Sequence, residues 1–145
     1  MTVTKSLYDV DFVAWTEEQA SHLMAKRWNQ LDLENIIEEI ESLGRNDKRA
    51  VVSLLTNLLL HLLKQKFQPE KATRSWELSI SNAATDLQIL IDDSPSLKPY
   101  LGSVWEKSYQ YARKKAARET GLEISTFPES LAESLKATAT DLIFD

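Results

Sequence analysis

The sequence predicts an all-α protein, an irregular bundle of five or six helices around a central apolar helix at about residues 47–67. Three observations carry that expectation. Only three glycines and four prolines punctuate the 145 residues, and long glycine-free runs favour helices over a meander of short strands. Apolar residues recur three and four apart along much of the chain, the spacing of a helical stripe. Between Val51 and Leu63 nearly every turn is apolar, and a helix apolar on so much of its circumference needs neighbours on several sides.

The elements follow in order. Residues 8–27 read as a first helix with Phe12, Thr16, Gln19, Ala20 and Leu23 on one side and Trp15 at its edge. Asp9 or Asp11 can cap its start, and Lys26 and Arg27 suit its C-terminal end. Trp28 closes a corner before Asp32, the N-cap of a second helix whose stripe is Leu33, Ile36, Ile37, Ile40 and Leu43. Gly44 suits a left-handed cap that ends this helix, although a single glycine can also merely bend one. Asn46 can cap the central helix, and Pro69 stops it. After a polar loop over residues 68–74, Thr73 or Ser75 caps a fourth helix. Trp76, Ile80, Ala83, Ala84, Leu87, Leu90 and Ile91 form its stripe, with Leu78 and Ile89 opposite. Residues 92–96 are a break. A fifth helix, from about Pro99 to Thr120, has a stripe of Leu101, Trp105, Ser108, Ala112 and Ala116 and stops at Gly121. A short helix from near Pro128, with Leu131, Leu135, Leu142 and Ile143, precedes a fraying tail.

The length suits one domain, residues 1–145, able to bury a core without staples. There is no cysteine, which excludes disulfides and thiolate metal sites. The segment MTVTKSLYDVDF has no apolar h-region, so the expected location is cytoplasmic. The central apolar run is too short and interrupted to span a bilayer, which takes about 20 apolar residues. Net charge is −5, in alternating blocks. Residues 1–44 hold three bases and nine acids, 45–74 seven and two, 75–97 none and four, 98–121 six and two, and 122–145 one and five. Complementary neighbouring helices account for such alternation, and an acidic chain argues against nucleic acid as the partner. The alternative is a pair of basic surfaces, residues 45–74 and 98–121, the latter with Tyr109 and Tyr111 among its cations.

One polar cluster stands out. Glu34, Glu38 and Glu41 recur at four and three residues and share a helix face. His61 and Lys64 form a polar stripe on the central helix. If the two helices pack antiparallel across a turn at Gly44, Glu34 and Glu38 approach the level of Leu54 to Asn57, with His61 just beyond. Arg74 and Trp76 can close on the same end. Carboxylates and a histidine converging in a bundle can hold a metal, and paired acidic spacings suit a magnesium-dependent nucleotide hydrolase. The chain has Glu38-x-x-Glu41 but no Glu-x-x-His. Ion pairing at the rim of a core explains the same residues without chemistry. A Gly-rich phosphate loop and a Gly-x-Ser-x-Gly elbow are both missing from the sequence, and no cofactor is expected.

Several motifs together resemble a known family. They are Tyr8-x-x-Asp11-Phe12-x-x-Trp15, Leu31-Asp32-Leu33-Glu34-Asn35, Ile37-Glu38-Glu39-Ile40-Glu41-Ser42-Leu43-Gly44 and His61-Leu62-Leu63-Lys64. Gln68-Pro69, Arg74-Ser75-Trp76, Asp93-Ser94-Pro95-Ser96-Leu97, Glu119-Thr120-Gly121-Leu122 and Phe127-Pro128 complete the set. On these the chain resembles the bacterial domain of unknown function number 29. The resemblance implies an all-helical domain of bacterial origin, abundant in photosynthetic bacteria, with no assigned activity. Gln65 departs from it, since members often carry tryptophan there, and so does the segment after Pro128. The functional expectation is a non-catalytic helical interaction domain that binds a protein partner or a second copy of the chain. The alternatives are a metal- or nucleotide-dependent enzyme using the Glu/His cluster, and nucleic-acid binding.

Overall fold

In the computed structural model, residues 5–145 are described, and among them every regular element is helical. Residues 1–4 of the N-terminal segment lie outside the described residues. Seven α-helices follow one another, with three 3₁₀ turns between them. They are α1 (Leu7–Val10), α2 (Phe12–Met24), α3 (Leu33–Phe67), α4 (Arg74–Asp93), α5 (Leu97–Ser103), α6 (Trp105–Thr120) and α7 (Glu133–Phe144). The helix count exceeds the five or six expected because residues 8–27 and 99–120 each divide in two, while the expected second and central helices join into α3. The first break falls at Asp11, in extended conformation, whose carboxylate accepts from the Ala14 amide at 3.0 Å and caps α2. The second falls at Val104, between α5 and α6. Pro99 sits in the first turn of α5, where its missing N–H costs nothing.

The chain divides into two compact units, one through Arg45 and one from Asn46 to Asp145. The α3 helix runs through the boundary without a break: Gly44 is helical, and the turn that the sequence allows there is not formed. Arg45 supplies the local reason. Its guanidinium reaches back along the helix to Glu38 at 2.6 Å, to Glu41 at 3.6 Å and to the Ser42 hydroxyl at 2.9 Å. Exposed pairs of this kind contribute about 0.3–0.5 kcal/mol each, which offsets part of the roughly 1 kcal/mol that a mid-helix glycine costs.

In the first unit α2 buries only part of the side its pattern favours, together with the edge residue Trp15. Trp15 and Gln19 are buried, whereas Phe12 and Leu23 are exposed. Lys26 stands in the left-handed region at φ 58°. It ends α2 with the paired bonds Lys26 N–H to Leu23 O at 3.1 Å and Arg27 N–H to His22 O at 2.9 Å, an arrangement usually given to glycine.

The second unit holds the core. Val51, Leu55, Leu58, Leu59 and Leu63 of α3 are essentially inaccessible. They belong to one cluster with Leu87 of α4, Tyr109 and Ala112 of α6, and Ile143 of α7. Expected stripes bear this out: Ile80, Ala83, Ala84, Leu87 and Ile91 on α4, and Ser108, Ala112 and Ala116 on α6, are buried, while Leu78 and Ile89 are exposed. Thr73 caps α4, its hydroxyl accepting from the Trp76 amide at 3.4 Å. Gly121 ends α6 at φ 75°, where only glycine is at ease. The C-terminal helix starts at Glu133, later than Pro128, and persists to Phe144 with Ile143 fully buried, so the tail is anchored where fraying was expected. Phe127 sets the approach: it is buried edge-on against Phe67, with centroids 5.1 Å apart. The Tyr109 phenol donates to the Pro128 carbonyl at 2.6 Å, and burial pushes that phenol's pKa up.

Candidate functional site

In the first unit a polar clasp holds α1 and α2 to the start of α3. Trp15 Nε1 donates to Asp32 Oδ2 at 3.0 Å, and Asn35 Nδ2 donates to the same oxygen at 2.8 Å. The Asp32 amide donates to Gln19 Oε1 at 2.8 Å. The Asn35 bond, with that from Trp15 and against some desolvation, holds the Asp32 carboxyl below its usual range. Tyr8 donates its phenol proton to the Glu39 carboxylate, and chiefly for that reason its pKa is pushed up to about 12. The Tyr8 ring meets Trp15 edge-on at 4.8 Å. Tyr8, Asp11, Trp15, Asp32 and Asn35 all fall in motifs that carry the resemblance. Here they are the fastening of the unit.

That fastening is polar and aromatic, and little apolar surface is buried under it. Trp15 is the one buried hydrophobic side chain among the unit's described residues. Leu33, Ile37, Ile40 and Leu43 of α3 lie between 53% and 68% exposed, and Met24 and Trp28 are exposed as well. Leu33, Ile37 and Ile40 recur at four and three residues, a stripe along one side of α3. Glu34, Glu38 and Glu41 follow the same spacing beside it, all exposed.

The remaining candidates sit in the second unit. His61 turns its Nδ1 to the Asn57 carbonyl oxygen of its own helix, 2.9 Å away. Lys64, with its side chain 11% exposed, pairs with Glu119 at 3.3 Å and lies over the Trp76 ring, 4.8 Å from its centroid. Arg74 is exposed and in no ion pair among the described residues. The structure therefore brings Lys64 and Trp76 together, adds Glu119, leaves Glu38 and Glu41 with Arg45, and leaves Glu34 exposed in no ion pair among the described residues. The convergence of glutamates on His61 required a fold-back at Gly44, and α3 has none. Among the described residues, no three His, Asp or Glu side chains are placed to hold a metal ion. Glu119 carried no signal in spacing, since 55 residues separate it from Lys64.

Cavities open at the surface of the second unit, two of which concern residues already named. One, of about 400 Å³, opens between α3, α4 and α7 and includes Leu62, Gln65, Ile80 and Leu142. Gln65 and α7, the two departures from the resembled pattern, meet there. The other, of about 350 Å³, lies between α3 and α6.

Fold and site define a small all-helical protein with an exposed apolar stripe in its first unit. The family model for "Domain of unknown function DUF29" matches residues 7–142, nearly the whole chain. The chain belongs to that family. Comparison with curated proteins and with solved structures gave no match.

Proposed function

We propose that the chain is a non-catalytic interaction domain whose first unit docks a protein partner through the face of Leu33, Ile37, Ile40 and Leu43. One observation carries this reading: the first unit buries a single hydrophobic side chain among its described residues and leaves a stripe of leucines and isoleucines in water. A unit of that size does not supply its own core, and exposed apolar patches rimmed by polar groups mark interaction sites. Fully burying a leucine or isoleucine gains about 1.5–3 kcal/mol. Covering the exposed part of these four yields roughly 4–7 kcal/mol by the same measure. Association itself costs about 4–15 kcal/mol, so a stable complex must also take up other exposed groups, such as Met24 or Trp28. The border of Glu34, Glu38 and Glu41, still acidic on balance with Arg45 paired to two of them, favours an amphipathic helix with an apolar seam and a basic flank.

A photo-crosslinking residue in place of Ile40, introduced into the chain in its native cell, tests this. The expected result is a defined adduct whose crosslinked segment is an apolar helix flanked by Lys or Arg. The same residue at Leu78 gives no such adduct. Equal labelling from both positions, or capture of acidic or irregular segments, overturns the proposal. A crosslink between two copies of the chain would assign the face to self-association.

A further inference from the structure

We infer that the groove between α3 and α6 in the second unit binds a nucleoside phosphate. Its volume, about 350 Å³, lies within the range of small-molecule sites, roughly 300–1,000 Å³. Val52, Ser53 and Thr56 line one side, and Tyr111, Lys114, Lys115 and Arg118 the other. Three cations thus converge on a space with no carboxylate in its lining. None of the three is in an ion pair among the described residues. The nearest acid in sequence, Glu119, is engaged by Lys64 at 3.3 Å. Lys114 and Arg118 are one turn apart on the same helix, a like-charged spacing that costs helix stability. A chain with net charge −5 has acids to spare for that spot and places none there. A polyanion in the groove would relieve the repulsion and accept charge-assisted hydrogen bonds, with a planar arginine fork suited to phosphate.

The other lining groups describe the rest of the ligand. The Ser53 and Tyr111 hydroxyls are free to donate, whereas Thr56 spends its hydroxyl on the Ser108 carbonyl at 3.4 Å. Half-buried Val52 and the exposed Tyr111 ring present an apolar surface to a flat organic group, and a base stacked on an aromatic ring is a recurrent use of such a residue. Phosphate for the cations and a base for the tyrosine make a nucleotide. The volume holds one ligand, which favours a mononucleotide over a strand. This site is separate from the docking face of the first unit, and neither reading depends on the other.

Calorimetric titration of the full chain tests the inference, with ADP, adenosine, inorganic phosphate and a single-stranded oligonucleotide as probes. ADP should bind at one site per chain, about tenfold or more tighter than adenosine or phosphate. Arg118→Ala, and Lys114→Ala with Lys115→Ala, should each weaken ADP about tenfold or more. Tyr111→Ala should weaken ADP but not inorganic phosphate. Lys71→Ala, an exposed cation elsewhere, should change nothing. All these positions are solvent-exposed, so the variants keep the fold, which circular dichroism checks. No ADP binding at about 1 mM, or binding indifferent to the groove variants, overturns the proposal. An oligonucleotide that outcompetes ADP and tightens with length would overturn it in favour of a nucleic-acid surface.

Discussion

Gly44→Ala is predicted to stabilise the protein, and the sign of the effect decides how α3 is built. Gly44 has no positive φ, lies inside a 35-residue helix, and a Cβ built on it meets nothing within 4 Å. A methyl group there creates no clash and removes the conformational freedom glycine has in the unfolded chain. Alanine in an exposed helix interior is favoured over glycine by about 0.8–1 kcal/mol. For a chain of this size, with about 2.1 cal/mol/K of unfolding entropy per residue, that shifts the melting midpoint up by roughly 3 °C. Gly121→Ala is the control: its φ of 75° puts alanine in the left-handed region at a cost of about 1–2 kcal/mol. Thermal and urea melts of the two variants should move in opposite directions. If Gly44→Ala also lowers the midpoint, Gly44 is a left-handed cap. The helix then ends there, and the meeting of Glu34 and Glu38 with His61 across a turn returns.

Further outcomes follow from the same geometry. Ile37→Glu should leave the stability of the isolated chain within about 0.5 kcal/mol, as surface substitutions do, while abolishing the partner adduct from the crosslinker at position 40; a large loss of stability would mean that Ile37 is already packed. Tyr8 should titrate near 12, well above a free tyrosine, as read by tyrosinate absorbance against a Tyr8→Phe control. Because its folded pKa is raised, the stabilisation from the Tyr8–Glu39 bond is fully present below about pH 10 and lost as pH rises through the folded value; a tyrosine titrating at the ordinary position refutes the clasp. Ser108 Oγ is buried with no hydrogen-bond partner, so Ser108→Ala should stabilise by about 1 kcal/mol, at the low end of the cost of an unsatisfied polar group. A loss of stability in a denaturant melt would show that the hydroxyl is in fact satisfied.

Much of the fold was legible in the sequence. The run from Val51 to Leu63 announced its own burial, and the α4 stripe and small residues of α6 fell where their spacing put them. Two misreadings have physical causes. Apolar periodicity favoured Phe12 and Leu23 with Gln19 as the inner side of α2, but Trp15 donates to the Asp32 carboxylate and Gln19 accepts from the Asp32 amide, and that edge alone is drawn in. Gly44 read as a stop because glycine punctuates helices, yet Arg45 binds Glu38, Glu41 and Ser42 across it. The candidate cluster failed with that turn, since its convergence depended on a fold-back. Lys64 with Trp76 was foreseeable from the polar ends of α3 and α4, whereas Glu119 reaches Lys64 only through tertiary packing that no local pattern encodes.

The most direct test of the docking account is amide hydrogen exchange on the purified full chain, at a concentration where sedimentation shows a monomer. Core amides of α3 between Val51 and Leu63 should open only with global unfolding, at about 5–15 kcal/mol. The first unit buries one apolar side chain among its described residues, worth no more than about 3 kcal/mol. Amides of α2 should therefore exchange about a hundredfold faster or more than those of the core, at an opening free energy lower by at least about 2–3 kcal/mol. Equal protection of the two units in the monomer would contradict the account, because the first unit would then be complete without a partner.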